Sequence, residues 1–549
     1  VDKVIPERES LTVEFKSDRD RLPDSELVAA VICLANTDGG DLYVGVEADG
    51  KVTGLHPTHA NVAGLAAMIA NRTVPPLSVR VEAIDVPTGR VARVSVPKAR
   101  QLIATSEGLL QRRRLKANGE PECVPFYPHE FGQRHSDLGL LDYSALPVAE
   151  STPNDLDPVE RARLRQVIQR YGGDASLLQL SDEELDGALG LIQRDAGKSS
   201  ATVAGLLIAG KEASLRRLLP THEVAFQDLA GTAVRVNEFY RAPLLRIFDK
   251  VMDHFASRRI EREMQVGLFR VPVPNFDQRA FREALINALV HRDYTRLGAT
   301  HCRWETDQIV ISNPGGFVEG VNLHNLLVVE PRPRNPLLAD VMKRIGLAER
   351  TGRGVDLIYQ GLLRFGRSAP DYTRSDSYTV TVVLPGGEAD LGMLRLVIEQ
   401  ERKTNSSLPV DSLIALSRLR NERRLDTRQL AEAIQKDEAR ARAVLERLVE
   451  AGLVEAHGVK KGRTFTLASS VYRDMDDKEG YVRQVGFEPI QQEQMVLKYA
   501  KEHGKITRRE AASLCQVSAG QASHLLRRLA TEGKLQIEGE RRGAHYRIP

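Results

Sequence analysis

A chain of 549 residues is too long for one hydrophobic core and sets a prior of roughly three to five domains. Its hydrophobic share of 42%, charged share of 28% and net charge of +3 are those of an ordinary soluble globular protein. No apolar run reaches the length of a membrane span, and the opening "VDKVIPERES" is not a secretory signal, so a cytoplasmic location is expected.

Cys33, Cys123, Cys302 and Cys515 show no paired metal spacing, and two of them sit inside apolar helical patterns. Buried thiols are therefore expected rather than bridges or zinc ligands. Since the total charge is close to neutral, local clusters carry more information than the sum.

In chain order, "ESLTVEFKSD", Glu9 to Asp18, comes first, with Leu11, Val13 and Phe15 on one face of a predicted strand and Thr12, Glu14 and Lys16 on the other. A divalent ion needs hard carboxylate oxygens, and phosphodiester hydrolysis gains from a nearby ammonium, so Glu14 and Lys16 on one face have a chemical use. "ELVAAVICLAN" has helical spacing and stops at "TDGG". Strands are predicted at "DLYVGV", "LSVRVEAIDV" and "VARVSVP", completing a mixed α/β unit over 1–145. From Lys98 to Lys116, six basic side chains stand against Glu107 alone, a cluster able to lay guanidinium groups along phosphates.

The polar, proline-bearing "ESTPNDLDP" marks a boundary. Residues 146–262 are predicted mostly helical, with strands at "VAFQDL" and "AVRVNEF". A further unit spans 263–388 through "FREALINALVHRDY", where Glu283 and Asn287 share a helix face, and "QIVISNPGGF". Beyond "LPGGEADLG" lies an internal repeat, starting at Thr427 and again at Thr507, within units placed at 389–477 and 478–549. Both copies read as short helix, turn, second helix, glycine stop, strand, basic turn, strand, and Leu445, Leu448 and Gly452 match Leu526, Leu529 and Gly533 at a constant offset.

The opening motif, followed by "ANTDGGDLYVGVEADGKVTGL", resembles the Schlafen AlbA-type domain over roughly residues 8–135. That resemblance implies nucleic-acid binding, with Arg112, Arg113, Arg114 and Lys116 as candidate contacts. Some members cut transfer RNA with three acidic residues. By position the first two are Glu9 and Glu14, and the third falls on Ala48, flanked by Glu47 and Asp49. Glu47, Asp41 and Asp49 stay open as the third ligand to Mg²⁺ or Mn²⁺, with Lys16 beside them.

The order "FREALINALVHRDY", "SNPGGF", "ERTGRGVD" resembles the ATP-binding domain of the gyrase, chaperone and histidine-kinase (GHKL) superfamily, a Bergerat α/β sandwich, in its RecG-like C-terminal form. It implies ATP and Mg²⁺, with Asn287 as a metal ligand and Glu283 orienting or activating water. Gly315 and Gly316 would admit adenine, and Gly352 and Gly354 would line the phosphate lid. Asn313 stands where the superfamily has an adenine-reading Asp, and Phe317 where it has glycine.

The repeats resemble winged helix-turn-helix domains. In the second copy Ser518, Gln521, Ser523 and His524 would face bases, Arg527 and Arg528 phosphates, and the wing would carry Arg541 and Arg542. From Lys501 to Pro549 there are ten Lys or Arg against five Asp or Glu. The first copy is more acidic on its helix, which leaves DNA binding and packing against a partner both open.

The expected architecture is thus a multidomain α/β and α+β chain acting as a nucleotide-regulated, DNA-binding transcription regulator, with a homodimer favoured. The alternative is a metal-dependent RNA or DNA nuclease of anti-phage defence acting through Glu9 and Glu14.

Overall fold

The computed structural model describes residues 5–549 except 117, 129, 196, 232, 267–268, 350, 459–462, 475–488, 516, 518 and 539–544. The chain divides into two compact units, Val1–Leu146 with Arg334–Pro336, and Pro147–Pro333 with Leu337–Pro549.

In the first unit, β1 (Val13–Lys16), α1 (Asp24–Ala35), β2 (Gly40–Val44), β3 (Arg80–Val86) and β4 (Gly89–Val96) build a mixed sheet of order β1-β2-β4-β3. β1 and β2 run parallel with Glu14 beside Leu42, and the other pairs are antiparallel. The apolar stripe of α1, including Leu27, Val31 and Leu34, is fully buried in one core with Leu42, Val44, Ala92 and Val94 of the sheet. A hairpin of β5 (Gln111–Leu115) and β6 (Pro121–Pro125) follows. Cys33 of α1 is bonded to Cys123 of β6. This corrects the expectation of four free thiols: helical spacing buries Cys33, but the hairpin returns 90 residues later to the same spot. Cys302 and Cys515 are buried and free.

The second unit contains α2 (Pro158–Tyr171), β7 (Val224–Ala230), β8 (Ala233–Tyr240), α3 (Leu244–Arg258), α4 (Gln278–Val290), β9 (Thr300–Trp304), β10 (Gln308–Pro314), α5 (Pro336–Arg344), α6 (Gly354–Leu363) and β11 (Thr379–Pro385). Its sheet has the order β8-β7-β9-β10-β11. The boundary expected at 262/263 is corrected here, because "VAFQDL" pairs in parallel with β9 through Val224 and Thr300, so the sheet begins some forty residues earlier. Phe255 of α3 stacks on Phe281 of α4 at 4.4 Å and meets Trp304 edge-on, fixing both helices against the sheet. At the start of α4, the Asp277 side chain accepts from Ala280 N at 2.7 Å.

Next come α7 (Leu391–Thr404), α8 (Val410–Glu422), β12 (Leu425–Asp426), α9 (Thr427–Ile434), α10 (Glu438–Glu450), β13 (Val454–His457) and β14 (Thr464–Leu467), with sheet order β12-β14-β13. The same succession returns in α11 (Pro489–His503), β15 (Ile506–Thr507), α12 (Arg508–Leu514), α13 (Ala519–Thr531), β16 (Gln536–Glu538) and β17 (His545–Arg547), with order β15-β17-β16. The repeated leucines explain the likeness. Leu445 and Leu448 sit in one core, and Leu526 and Leu529 in another, each burial contributing about 1.5–3 kcal/mol. Gly452 and Gly533 both take φ +71°, the left-handed geometry in which glycine carries no Cβ penalty. The expected join at 477/478 lies outside the described residues. No helix among the described residues is long and apolar enough to cross a membrane.

Candidate functional site

Helical spacing on α4 turns Glu283, Ala284, Asn287 and Ala288 toward a cavity of about 190 Å³. Its floor is a patch of sheet. Ile311 of β10 lies opposite Val382 of β11, and Asn313 opposite Val380, so three apolar side chains surround one amide. Asn313 is buried, and its Nδ2 donates to Pro314 O over a long 3.3 Å. The remaining wall is the irregular stretch between β10 and α5, which contributes Phe317, Val318, Val321, Leu326, Val329 and Arg332.

The polar corner is tight. A Cβ added at Gly354 would lie 2.3 Å from Glu283 Oε1 and 3.3 Å from Asn287 Nδ2, so glycine as the first residue of α6 lets the helix approach these two groups without displacing them. Arg353, the N-cap of α6, makes no side-chain cap, and its backbone N–H donates to Glu349 Oε2 at 2.8 Å. Gly352 also lines the cavity. Burial pushes the Glu283 carboxyl up to about 7, against the pull of Arg282, with the carboxylate of Glu349 adding to the rise. Gly316 lines the cavity, but a Cβ there would meet the backbone of Asp376 and Ser377 at 2.8 Å, so packing against the chain before β11 requires it. Gly315 donates its N–H to Tyr378 O at 2.7 Å instead of lining the cavity. Sequence reasoning missed Glu349, Arg332 and Lys343, which also line the site. Glu349 opens "ERTGRGVD" and Arg332 lies in the charged run "EPRPR", whereas Lys343 had no visible signal.

In the first unit, Glu14 is buried and pairs with the buried Arg113, and its other oxygen lies 2.9 Å from Lys16 Nζ. Arg113 also donates to Ser10 O at 2.8 Å and Val13 O at 2.9 Å. Arg113 is therefore corrected from a phosphate contact to an internal counter-ion, since alternation along β5 turns it inward between Arg112 and Arg114. Glu9 accepts from Phe15 N at 2.9 Å, and burial raises its carboxyl above the usual range, with the nearby charge of Glu14 adding. Glu47 accepts from Ser17 at 2.8 Å and Thr53 at 2.7 Å, Asp49 from Lys51 N at 3.0 Å, and Asp41 from Arg93 and Ser95, each at 2.7 Å. Among the described residues no group of three His, Cys, Asp or Glu is arranged to hold a metal ion. Arg112 pairs with Glu130, Arg114 with Glu122 at 2.7 Å, and Lys116 with Glu120 at 3.4 Å.

At the C-terminal end, Gln521 and Arg527 are exposed on α13. Arg528 lies 3.5 Å from Glu493 and 3.6 Å from Glu532. Ser518, Arg541 and Arg542 lie outside the described residues.

Residues 9–117 match the family model "Schlafen, AlbA_2". Residues 301–384 match "Putative ATP-dependent DNA helicase recG C-terminal", and residues 134–225 match a domain of unknown function, DUF8451. These matches support an AlbA-type Schlafen domain and a separate RecG-like, GHKL-type ATP-binding domain. No curated protein matches the chain. Among solved structures, the DIP2311 protein from Corynebacterium diphtheriae matches with a TM-score of 0.50 and 22% identity, over 98% of this chain and 95% of that one, a likeness of fold.

Proposed function

We propose that the chain is a nucleotide-regulated, DNA-binding transcription regulator of the cytoplasm, acting as a homodimer, whose α4 cavity takes ATP with Mg²⁺. The observation that carries this reading is the pairing of Glu283 and Asn287 against Gly354, beside an apolar floor that holds one buried amide. The apolar floor suits a purine ring, and Asn313 offers it a hydrogen-bonding edge. The N-terminal end of α6 faces this corner, and its helix dipole suits phosphate oxygens. The absence of a Cβ at Gly354 brings the start of α6 against Glu283 and Asn287 at the rim of the cavity, so backbone, carboxyl and amide converge on one corner and the residues fit the group. Asn287 would hold Mg²⁺ through its side-chain oxygen, and the metal would neutralise phosphate charge. Glu283, neutral or charged near pH 7, can hold a proton at its carboxyl or orient a water.

The two C-terminal successions are read as winged helix-turn-helix domains, with α13 the helix offered to the major groove and Gln521 and Arg527 on its exposed face. The AlbA-type domain points to nucleic acid in general. The nuclease alternative is the less favoured reading: Glu9 and Glu14 are neighbours, but Glu14 is paired with Arg113 and Lys16, and Glu47 is held by Ser17 and Thr53. Calorimetry with Mg-ATP tests the reading. Asn287→Ala in a folded protein should weaken binding at least about tenfold, equivalent to about 1.4 kcal/mol, and unchanged affinity would remove the assignment.

A further inference from the structure

We infer that Gln435 is a positioning residue that couples the wall of the α4 cavity to the helix pair α9–α10; this rests on the nucleotide reading of that cavity. The wall between β10 and α5 has no regular element of its own. It is held in shape by local bonds, among them Asn325 Nδ2 to Gly320 O at 2.8 Å and Asn322 N to Asn325 Oδ1 at 2.8 Å. Gln435 grips it from outside. Its Oε1 accepts from Leu327 N at 2.8 Å and its Nε2 donates to Leu323 O at 2.8 Å. Both ends of the amide are used on two backbone groups four residues apart, which fixes the amide's orientation and the spacing of the wall. Leu326 and Val329, in and just beyond this span, line the cavity, while Leu327 packs on the core that holds α9 and α10.

Gln435 occupies the turn between α9 and α10, where it caps α9 at φ 57°, ψ 34°. A residue with a Cβ rarely adopts that conformation, and it persists here with the side chain locked into the wall. The next residue adds a second tie, with Lys436 Nζ 2.8 Å from both oxygens of Asp411 on α8. The opposite side of the cavity is seated on the same core. α6, whose first residues Gly354 and Val355 line the site, packs Tyr359 against it. A ligand that repositions the wall must therefore displace the α9–α10 turn or break two hydrogen bonds. Conversely, a partner that reorients α10 acts on the cavity with the same coupling, as linkage requires.

The test is hydrogen exchange on the full chain, for unaltered protein, Gln435→Gly and Gln435→Glu, with and without Mg²⁺ and a nonhydrolysable ATP analogue. Glycine keeps the left-handed backbone and removes the bracket, while Glu keeps the acceptor for Leu327 N and loses the donor to Leu323 O. Without nucleotide, Gln435→Gly should raise exchange about threefold or more at 321–329 and at the α9–α10 turn, with Gln435→Glu between. With the analogue, the unaltered protein should gain protection in both segments, and Gln435→Gly in the wall alone. Exchange at 321–329 that is the same in Gln435→Gly and the unaltered protein, or an α9–α10 response of equal size in both, would overturn the inference. If the analogue fails to bind the unaltered protein, the nucleotide reading falls, and the nucleotide-free comparison still decides whether Gln435 holds the wall.

Discussion

Arg113 places its guanidinium on the carboxylate of Glu14 with both side chains buried, at 3% and 6% exposure, and Lys16 adds a second positive charge to the same carboxylate. A charge left alone there has little water to turn to.

Arg113→Ala should destabilise the first unit by about 1–3 kcal/mol, short of the cost of an isolated buried charge because Lys16 still faces Glu14, and Arg113→Met with Glu14→Gln should recover part of that loss. Thermal unfolding of the two variants checks it. A double variant as unstable as the single one would mean that the bonds from Arg113 to Ser10 O and Val13 O dominate.

Glu283 makes stability depend on pH. Its folded value of about 7 lies above the usual 4.5, so the native state binds the extra proton between those limits and loses stability as pH rises through them. Glu283→Gln should unfold at nearly the same denaturant concentration as the unaltered protein near pH 4.5. It should become more stable than the unaltered protein by up to about 3 kcal/mol above pH 7. Urea titrations at four pH values would show the divergence, and parallel curves would contradict it.

Gly354→Ala forces a methyl group to within 2.3 Å of Glu283 Oε1. Relief comes from a swing of the Glu283 carboxylate or a withdrawal of α6, at a cost of about 1 kcal/mol or less when the carboxylate alone moves, and either displaces the polar corner. The variant should stay folded yet lose Mg-ATP binding in calorimetry. Retained affinity would show that the phosphates do not approach this corner.

If the C-terminal end contacts DNA as proposed, removal of residues 478–549 should weaken duplex DNA binding and flatten its dependence on salt, since Arg527 and the other basic residues of this end would no longer displace counterions. Fluorescence anisotropy over a salt series measures the slope. Undiminished binding would transfer the DNA contact to the rest of the chain.

Much of this architecture was legible in local patterns. Alternation placed Glu14 and Lys16 on one strand face, and helical spacing placed Glu283 and Asn287 on one helix face, because both are rules of a single element. The repeat was legible because its leucines fill equivalent cores. What stayed hidden depends on distant chain. A run of arginines says nothing of which one turns inward, so Arg113 looked like its neighbours until β5 met β1. The start of the second sheet was hidden in the same way, since "VAFQDL" joins it only through a parallel pairing with a strand some seventy residues later. Gln435 carries no motif, and its role exists only where the turn meets the wall.

The bond between Cys33 and Cys123 gives the chain two halves with different chemical senses. Cys33 is sealed in the core while Cys123 belongs to a partly exposed strand of the hairpin, so exchange with an outside thiolate would begin from the hairpin side. The link closes a long stretch of chain, and its scission would relax the hairpin that carries Arg113. The second unit has no counterpart, since Cys302 and Cys515 are buried and unpaired. Scission of the bond would thus bear on the first unit and its acidic corner, while the second unit has no bridge to lose.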